Sequence, residues 1–311
     1  MSKIVLVGCG QVGATFAYTV LLRGLANELV VIDANPDKAM GDVLDLNHGL
    51  MLANPMKITV GAYADCADAD VIVITAGAAQ RPGETRIDLM SRNVAIFDSI
   101  ISQVVRYNQS GILLIATNPV DILTQVALKL SGWPAHRVIG SGTLLDSSRL
   151  RYLIASRFNL DPRSVHGMII GEHGDSEIAV WSLASVGGVP IDSPDMGYRW
   201  HLSPDERADL LEETRTAAYQ IIKKKGATYY AIALALARIC EAILKDQKSI
   251  LQVSTFLLDY HGIEGLCIGV PAVVGRQGVE ELVQIPLTAE EERTLQDSAA
   301  KLKQFLAEIG F

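Results

Sequence analysis

No stretch of this 311-residue chain approaches the length of a membrane span, although 49% of its residues are apolar. That apolar surplus is expected instead in buried sheet, core helices and a subunit interface. No secretory leader is expected either: Met1-Ser-Lys-Ile-Val-Leu-Val-Gly8 carries one lysine and no small-residue cleavage site, and reads as a first strand. Positive charge is in deficit, with a net charge of −8 and no basic run longer than Lys223–Lys225. No nucleic acid and no membrane is therefore expected as a partner, and an anionic substrate would need a local positive pocket. The four cysteines, Cys9, Cys66, Cys240 and Cys267, show no CxxC spacing. Reduced thiols in a cytoplasmic protein are the expectation. HExxH, paired Cys/His ligands and GxSxG are all missing, which argues against a metal centre and against a serine hydrolase. No internal repeat or low-complexity segment is found.

What is present in the first half is a rhythm. Short apolar runs at Ile4–Val7, Glu28–Ile32, Lys57–Val60, Val71–Ile74 and Ile112–Ala116 alternate with helical patterns near Gln11–Arg23, Pro36–Met51, Glu84–Tyr107 and Pro119–Leu130. Continuous Val/Ile/Leu strands indicate a parallel sheet covered on both faces, so the fold class is α/β with a doubly wound, Rossmann-type N-terminal domain. The expected division is residues 1–140 for dinucleotide binding and 141–311 for an α+β catalytic domain. In that second half a helix spans Leu144–Phe158, an apolar strand Val165–Ile170, and a turn Gly187-Gly188. Ser203-Pro-Asp-Glu206 forms a capping box opening a helical region to about Leu244, interrupted at Gly226. Strands near Val253–Leu258 and Cys267–Ala272 precede a last amphipathic helix, Ala289–Ile309.

Gly8-Cys-Gly10-Gln-Val-Gly13 follows a strand and opens a helix. The first glycine permits the tight turn, the second lets backbone approach a pyrophosphate, and the third allows helix and strand to pack closely. Asp33 ends the second strand, where a carboxylate accepts hydrogen bonds from a ribose diol and repels a 2′-phosphate; NAD is favoured over NADP. The alternative is a structural glycine turn with an aspartate that caps the next helix.

Two further segments carry chemistry. The strand Val71–Ile74 empties into Thr75-Ala-Gly-Ala-Ala-Gln-Arg-Pro-Gly-Glu-Thr-Arg86, a basic loop whose Gly and Pro residues suit it to clamping a small anion. Gly171-Glu-His-Gly-Asp175 puts His173 between glycines at a strand end, while Asp146 and Arg149 share one face of the preceding helix. A carboxylate on one ring nitrogen fixes the histidine tautomer and leaves the other nitrogen for proton transfer; an arginine beside it can grip a carboxylate. Singly, these are equally well a turn histidine and a helix-surface ion pair.

Together with Ala116-Thr-Asn-Pro-Val-Asp121, Gly140-Ser-Gly-Thr-Leu-Leu-Asp146 and Lys225-Gly-Ala-Thr228, these segments make the chain resemble, from end to end, the lactate/malate dehydrogenase family. The resemblance implies reversible hydride transfer between NADH and pyruvate, giving (S)-lactate. It implies that His173 donates and accepts the proton, Asp146 orients it, Arg86 polarises the carbonyl, Arg149 holds the carboxylate, Asn118 bonds the substrate and Thr228 lines the pocket. Val12, Lys38, Tyr63, Gly77, Ala78, Ser99, Ala116, Asn118 and Ser141 join Gly8, Gly10, Gly13 and Asp33 as expected NAD contacts.

Gln80 stands where oxaloacetate-using relatives usually carry arginine, so a second substrate carboxylate would be buried unpaired, at a cost of several kcal/mol. Glu172 and Thr228 point the same way, and Arg81 is expected to point elsewhere. The resemblance further implies a homotetramer, with Arg151 and His166 at positions where bacterial relatives bind fructose 1,6-bisphosphate. Rival readings are a malate or broader 2-hydroxy acid dehydrogenase, which turns on Gln80, and a non-catalytic NAD-sensing protein, which predicts a damaged catalytic set.

Overall fold

The computed structural model describes residues 2–78, 86–193 and 199–311, with the side chains of Arg86 and Ile87 outside that description. Gln80 and Arg81 therefore lie outside the described residues, as does the reacting end of Arg86. Six parallel strands form the heart of the molecule: β1 (Lys3–Val7), β2 (Glu28–Ile32), β3 (Lys57–Val60), β4 (Val71–Ile74), β5 (Ile112–Ile115) and β6 (Val138–Gly140). Their order is β3-β2-β1-β4-β5-β6, with the direction in which successive strands are added reversing between β1 and β4. In such a sheet the carboxyl ends at the reversal leave a crevice for a ligand. The connecting helices are α1 (Gln11–Arg23), α2 (Pro36–His48), α3 (Arg86–Tyr107) and α4 (Val120–Ser131).

The second half adds α5 (Leu144–Phe158), then five short strands: β7 (Val165–His166), β8 (Ile169–Ile170), β9 (Ile178–Ala179), β10 (Ser185–Val186) and β11 (Val189–Pro190). Helices α6 (Pro204–Lys225) and α7 (Tyr230–Leu244) follow, then β12 (Ser249–Leu257), β13 (Leu266–Gly275), β14 (Gly278–Leu282) and α8 (Ala289–Glu308). The Ser203–Glu206 capping box opens α6, and Gly226 ends it. One face of the main sheet packs on α3, α4 and α8 through Phe97, Ile101, Leu123 and Leu302. The other packs on α1, α2 and α7 through Phe16, Val20, Val43, Leu236 and Ile243.

Several expectations need correcting. The apolar run Val165–Ile170 is two strands, not one: β7 pairs with β10 and β8 with β9, the break falling at Gly167-Met168. Helix α2 stops at His48 and the chain tightens into a 3₁₀ turn at Leu50–Leu52. β6 and β14 carry no distinct apolar signal: β6 is three residues long, and β14 opens on Gly278 and contains two glutamates. The sheet also runs on past residue 140, since Ser254 of β12 pairs antiparallel with Gly140 of β6, making nine strands in all. Four buried cysteines are unbridged, and no described helix is long and apolar enough to cross a membrane.

Candidate active site

The glycine loop is held by its own main chain. Gly8 adopts φ +98°, and a Cβ there would sit 2.5 Å from the Ala76 nitrogen. A Cβ on Gly13 would lie 2.0 Å from the Gly8 carbonyl oxygen, so helix α1 can approach β1 this closely only without a side chain. Gly10 differs: a Cβ there meets nothing within 4 Å, leaving open space in front of the α1 N-terminus. Thr75 Oγ1 donates to the Gly8 carbonyl at 2.6 Å, and the Asp33 carboxylate accepts from Cys9 N at 2.5 Å. Asn35, not Asp33, caps α2, by accepting from Lys38 N. A tight, glycine-only turn with free space at its second glycine and a carboxylate at the β2 end fits a dinucleotide. Cys9 is buried beneath it; burial first, and then its hydrogen bond to Asp42, push the thiol up to about 12, so it is no nucleophile.

Beside the loop a cavity of about 450 Å³ opens between α1, α4, α5, α6 and the Gly171–Glu177 turn. The structure brings Val12, Ala116, Asn118, Ser141, Asp146, Arg149, His173 and Thr228 to its lining. Lys38, Tyr63, Gly77, Ala78 and Ser99 do not line it. Lys38 is tied to Asp42 at 2.7 Å beyond Asp33, Tyr63 follows β3, the Ala78 nitrogen donates to Asn93, and Ser99 is exposed on α3.

The hairpin β8–β9 folds the Gly171–Glu177 turn back over α5. There His173 Nδ1 meets Asp146 Oδ2 at 2.5 Å, while Arg149 Nη1 donates to Asp146 Oδ1 at 2.7 Å. Asp121 Oδ2 accepts from the His173 main-chain nitrogen at 2.8 Å, which fixes the loop as well as the ring. Burial works against a charge on His173, but the Asp146 carboxylate outweighs it and raises the ring to about 9. Burial alone would raise Asp146 too; the imidazolium and the Arg149 guanidinium hold it below the usual carboxylate range. The ring nitrogen that Asp146 does not occupy is left to exchange a proton, with a guanidinium alongside for an anion.

Three charged residues near His173 were given no role by the sequence: Glu177 and Arg215, which line the cavity, and Asp121, which reaches the His173 main chain from α4. Asp121 sits one residue past Pro119-Val120 within a quoted segment, yet nothing in its spacing says that it reaches His173. Asp146, His173 and Glu177 have ligand atoms within 4.8 Å of one another. Both Asp146 oxygens are already engaged and Arg149 brings a positive charge, so the cluster suits proton exchange better than a cation.

A dinucleotide crevice joined to a buried histidine–carboxylate pair defines a nucleotide-dependent oxidoreductase. Residues 2–140 match the lactate/malate dehydrogenase NAD binding domain and residues 143–310 the lactate/malate dehydrogenase alpha/beta C-terminal domain. The chain belongs to the lactate/malate dehydrogenase family. It is 48% identical over 309 residues to the L-lactate dehydrogenase of Thermoanaerobacter sp. (strain X514), covering 99% of each chain. Identity to the L-lactate dehydrogenase of Priestia megaterium is 50% over 302 residues, 97% of this chain and 95% of that one. Among solved structures, the minor L-lactate dehydrogenase of Enterococcus mundtii, in a ligands-bound form, superposes with a TM-score of 0.95 at 42% identity, covering 98% of both chains.

Proposed function

We propose that the chain is an NAD-dependent L-lactate dehydrogenase that reduces pyruvate reversibly to (S)-lactate. The observation that carries this reading is the His173–Asp146–Arg149 cluster, facing a cavity that adjoins the glycine loop. Bound NADH supplies the hydride. The pyruvate carboxylate pairs with Arg149, whose guanidinium is already partly immobilised by Asp146, so little side-chain entropy remains to be lost. His173 gives its proton to the substrate oxygen, and Asp146 stabilises the charged ring before transfer and fixes its tautomer. Asn118 bonds the substrate, Thr228 borders the space for its methyl group, and Arg86 is assigned the polarisation of the carbonyl. Gly8, Gly10, Val12, Gly13, Asp33, Ala116 and Ser141 hold the cofactor, with Lys38, Tyr63, Gly77, Ala78 and Ser99 as outer contacts.

Choice of substrate rests on Gln80. NADH oxidation with pyruvate and oxaloacetate side by side should favour pyruvate, and Gln80→Arg should raise kcat/KM for oxaloacetate while lowering it for pyruvate. An unchanged preference in that variant sinks the assignment.

Exposed apolar side chains on α1 and α2, Tyr18, Leu22, Met40 and Leu44, with Met51 and Leu52 beyond, support self-association into the homotetramer that the family resemblance suggests. Four buried thiols suit the cytoplasm. Arg151 donates to the Val165 carbonyl at 2.6 Å, next to exposed His166, which favours this pair as the fructose 1,6-bisphosphate site. The pyruvate saturation curve should then shift when the sugar bisphosphate is added.

A further inference from the structure

Glu177 is the most deeply buried ionisable side chain that the mechanism above leaves unused among those lining the cavity. It is 2% exposed, and its Oε1 has no hydrogen-bond partner among the described residues. Its main-chain nitrogen closes the turn onto the Gly174 carbonyl, and its own carbonyl accepts from Arg215 Nη2 at 2.6 Å. Both ends of the residue are thus pinned while the carboxyl is turned into the cavity wall. One of its oxygens, a His173 ring nitrogen and an Asp146 oxygen all lie within 4.8 Å of one another. A carboxyl buried without a donor is destabilising, and an apolar side chain of similar size would avoid that cost.

We propose that Glu177 is a positioning residue for His173, whose carboxyl sets how firmly the ring keeps its proton and hence the pH range over which pyruvate is reduced. This deepens the reading of His173 as the proton donor and rests on it. Among the described residues, the charged and titratable groups around the ring are Asp146 and Arg149 from α5, Asp121 from α4, Glu172 and Asp175 from the same turn, and Arg215 and Tyr219 from α6. Of these, Asp146 is committed to the ring and to Arg149, and Asp121 to the main chain. Among the described residues, Glu177 combines reach to the ring with a buried oxygen that has no donor.

Burial, and then the Asp146 charge, push Glu177 up to about 8. Near neutrality the carboxyl therefore carries a proton and His173 carries one as well. As pH rises past that point Glu177 ionises beside the imidazolium, and the new charge keeps the ring protonated to higher pH. Pyruvate reduction consumes protonated His173, so its alkaline limb is extended; lactate oxidation needs the neutral ring, so its acid limb is moved up equally.

The test is the pH dependence of kcat/KM in both directions for Glu177→Gln, an uncharged side chain of the same shape. Both limbs should move to lower pH by at least about half a unit, the shift expected for one lost charge within 4.8 Å even at a water-like dielectric. A change in height with the limbs unmoved would mark a merely structural role and overturn the proposal. If Glu177→Gln does not fold, NMR titration of the His173 ring in the unaltered protein serves instead. Two inflections support the proposal and a single one defeats it. Because that titration needs no substrate, it still reports on Glu177 if pyruvate proves not to be the substrate.

Discussion

Between Gly8 and Gly13 the cleft is made of main chain; around His173 it is made of buried charge. The loop works by steric exclusion. Gly13 admits no Cβ, Gly10 leaves room, and the hydrogen bonds come from Thr75 and Asp33. The His173 side gathers groups from α4, α5, α6 and the β8–β9 turn, and each shifts the proton affinity of the others. The first arrangement can be damaged by a single methyl group.

The comparison breaks most sharply at His173. Replacing it with Gln should lower kcat/KM for pyruvate by at least a thousandfold, the upper range for a lost general acid, while NADH titration by fluorescence stays near wild type. If NADH affinity falls as far as turnover, the two walls are not separable.

Next in size is a contrast within the loop. Gly13→Ala should disrupt the start of α1 and lower both thermal stability and NADH affinity, because its methyl group meets the Gly8 carbonyl oxygen at 2.0 Å. Gly10→Ala should leave the melting temperature nearly unchanged and weaken NADH binding about tenfold or more, since its methyl group intrudes only on the space where phosphate would approach. Equal effects of the two on stability would refute the separate roles given to them.

The smallest effect concerns Asp121. Burial raises its carboxyl from an ordinary 3.8 to about 6 in the folded protein. The unfolded chain ionises first, so stability is lost as pH rises from about 4 to about 6 and the loss then stays constant. Asp121→Asn keeps an oxygen for the His173 main-chain nitrogen without the charge. Urea unfolding should show it gaining on the order of 1–3 kcal/mol on the native protein between pH 4.5 and pH 7. No change in that difference would show that the carboxylate is not penalised.

Much of this was legible in the sequence where periodicity or local geometry acts. The continuous Val/Ile strands β1 to β5, the Ser203–Glu206 cap and the glycine spacing are all properties of neighbours in the chain. The motifs likewise pointed to His173, Asp146 and Arg149. β6, with three residues, and β14, with two glutamates and a leading glycine, escaped because their pairing is owed to the rest of the sheet. Val165–Ile170 misled because a uniform apolar run does not say which sheet each residue joins. The sequence by itself determined the α/β rhythm, the dinucleotide turn and the residue types for proton transfer, since a helix start or a tight turn is set within a few residues. Only the tertiary structure decided that Asp121, Glu177 and Arg215 converge on His173, because buried charges interact through space across elements far apart in the chain.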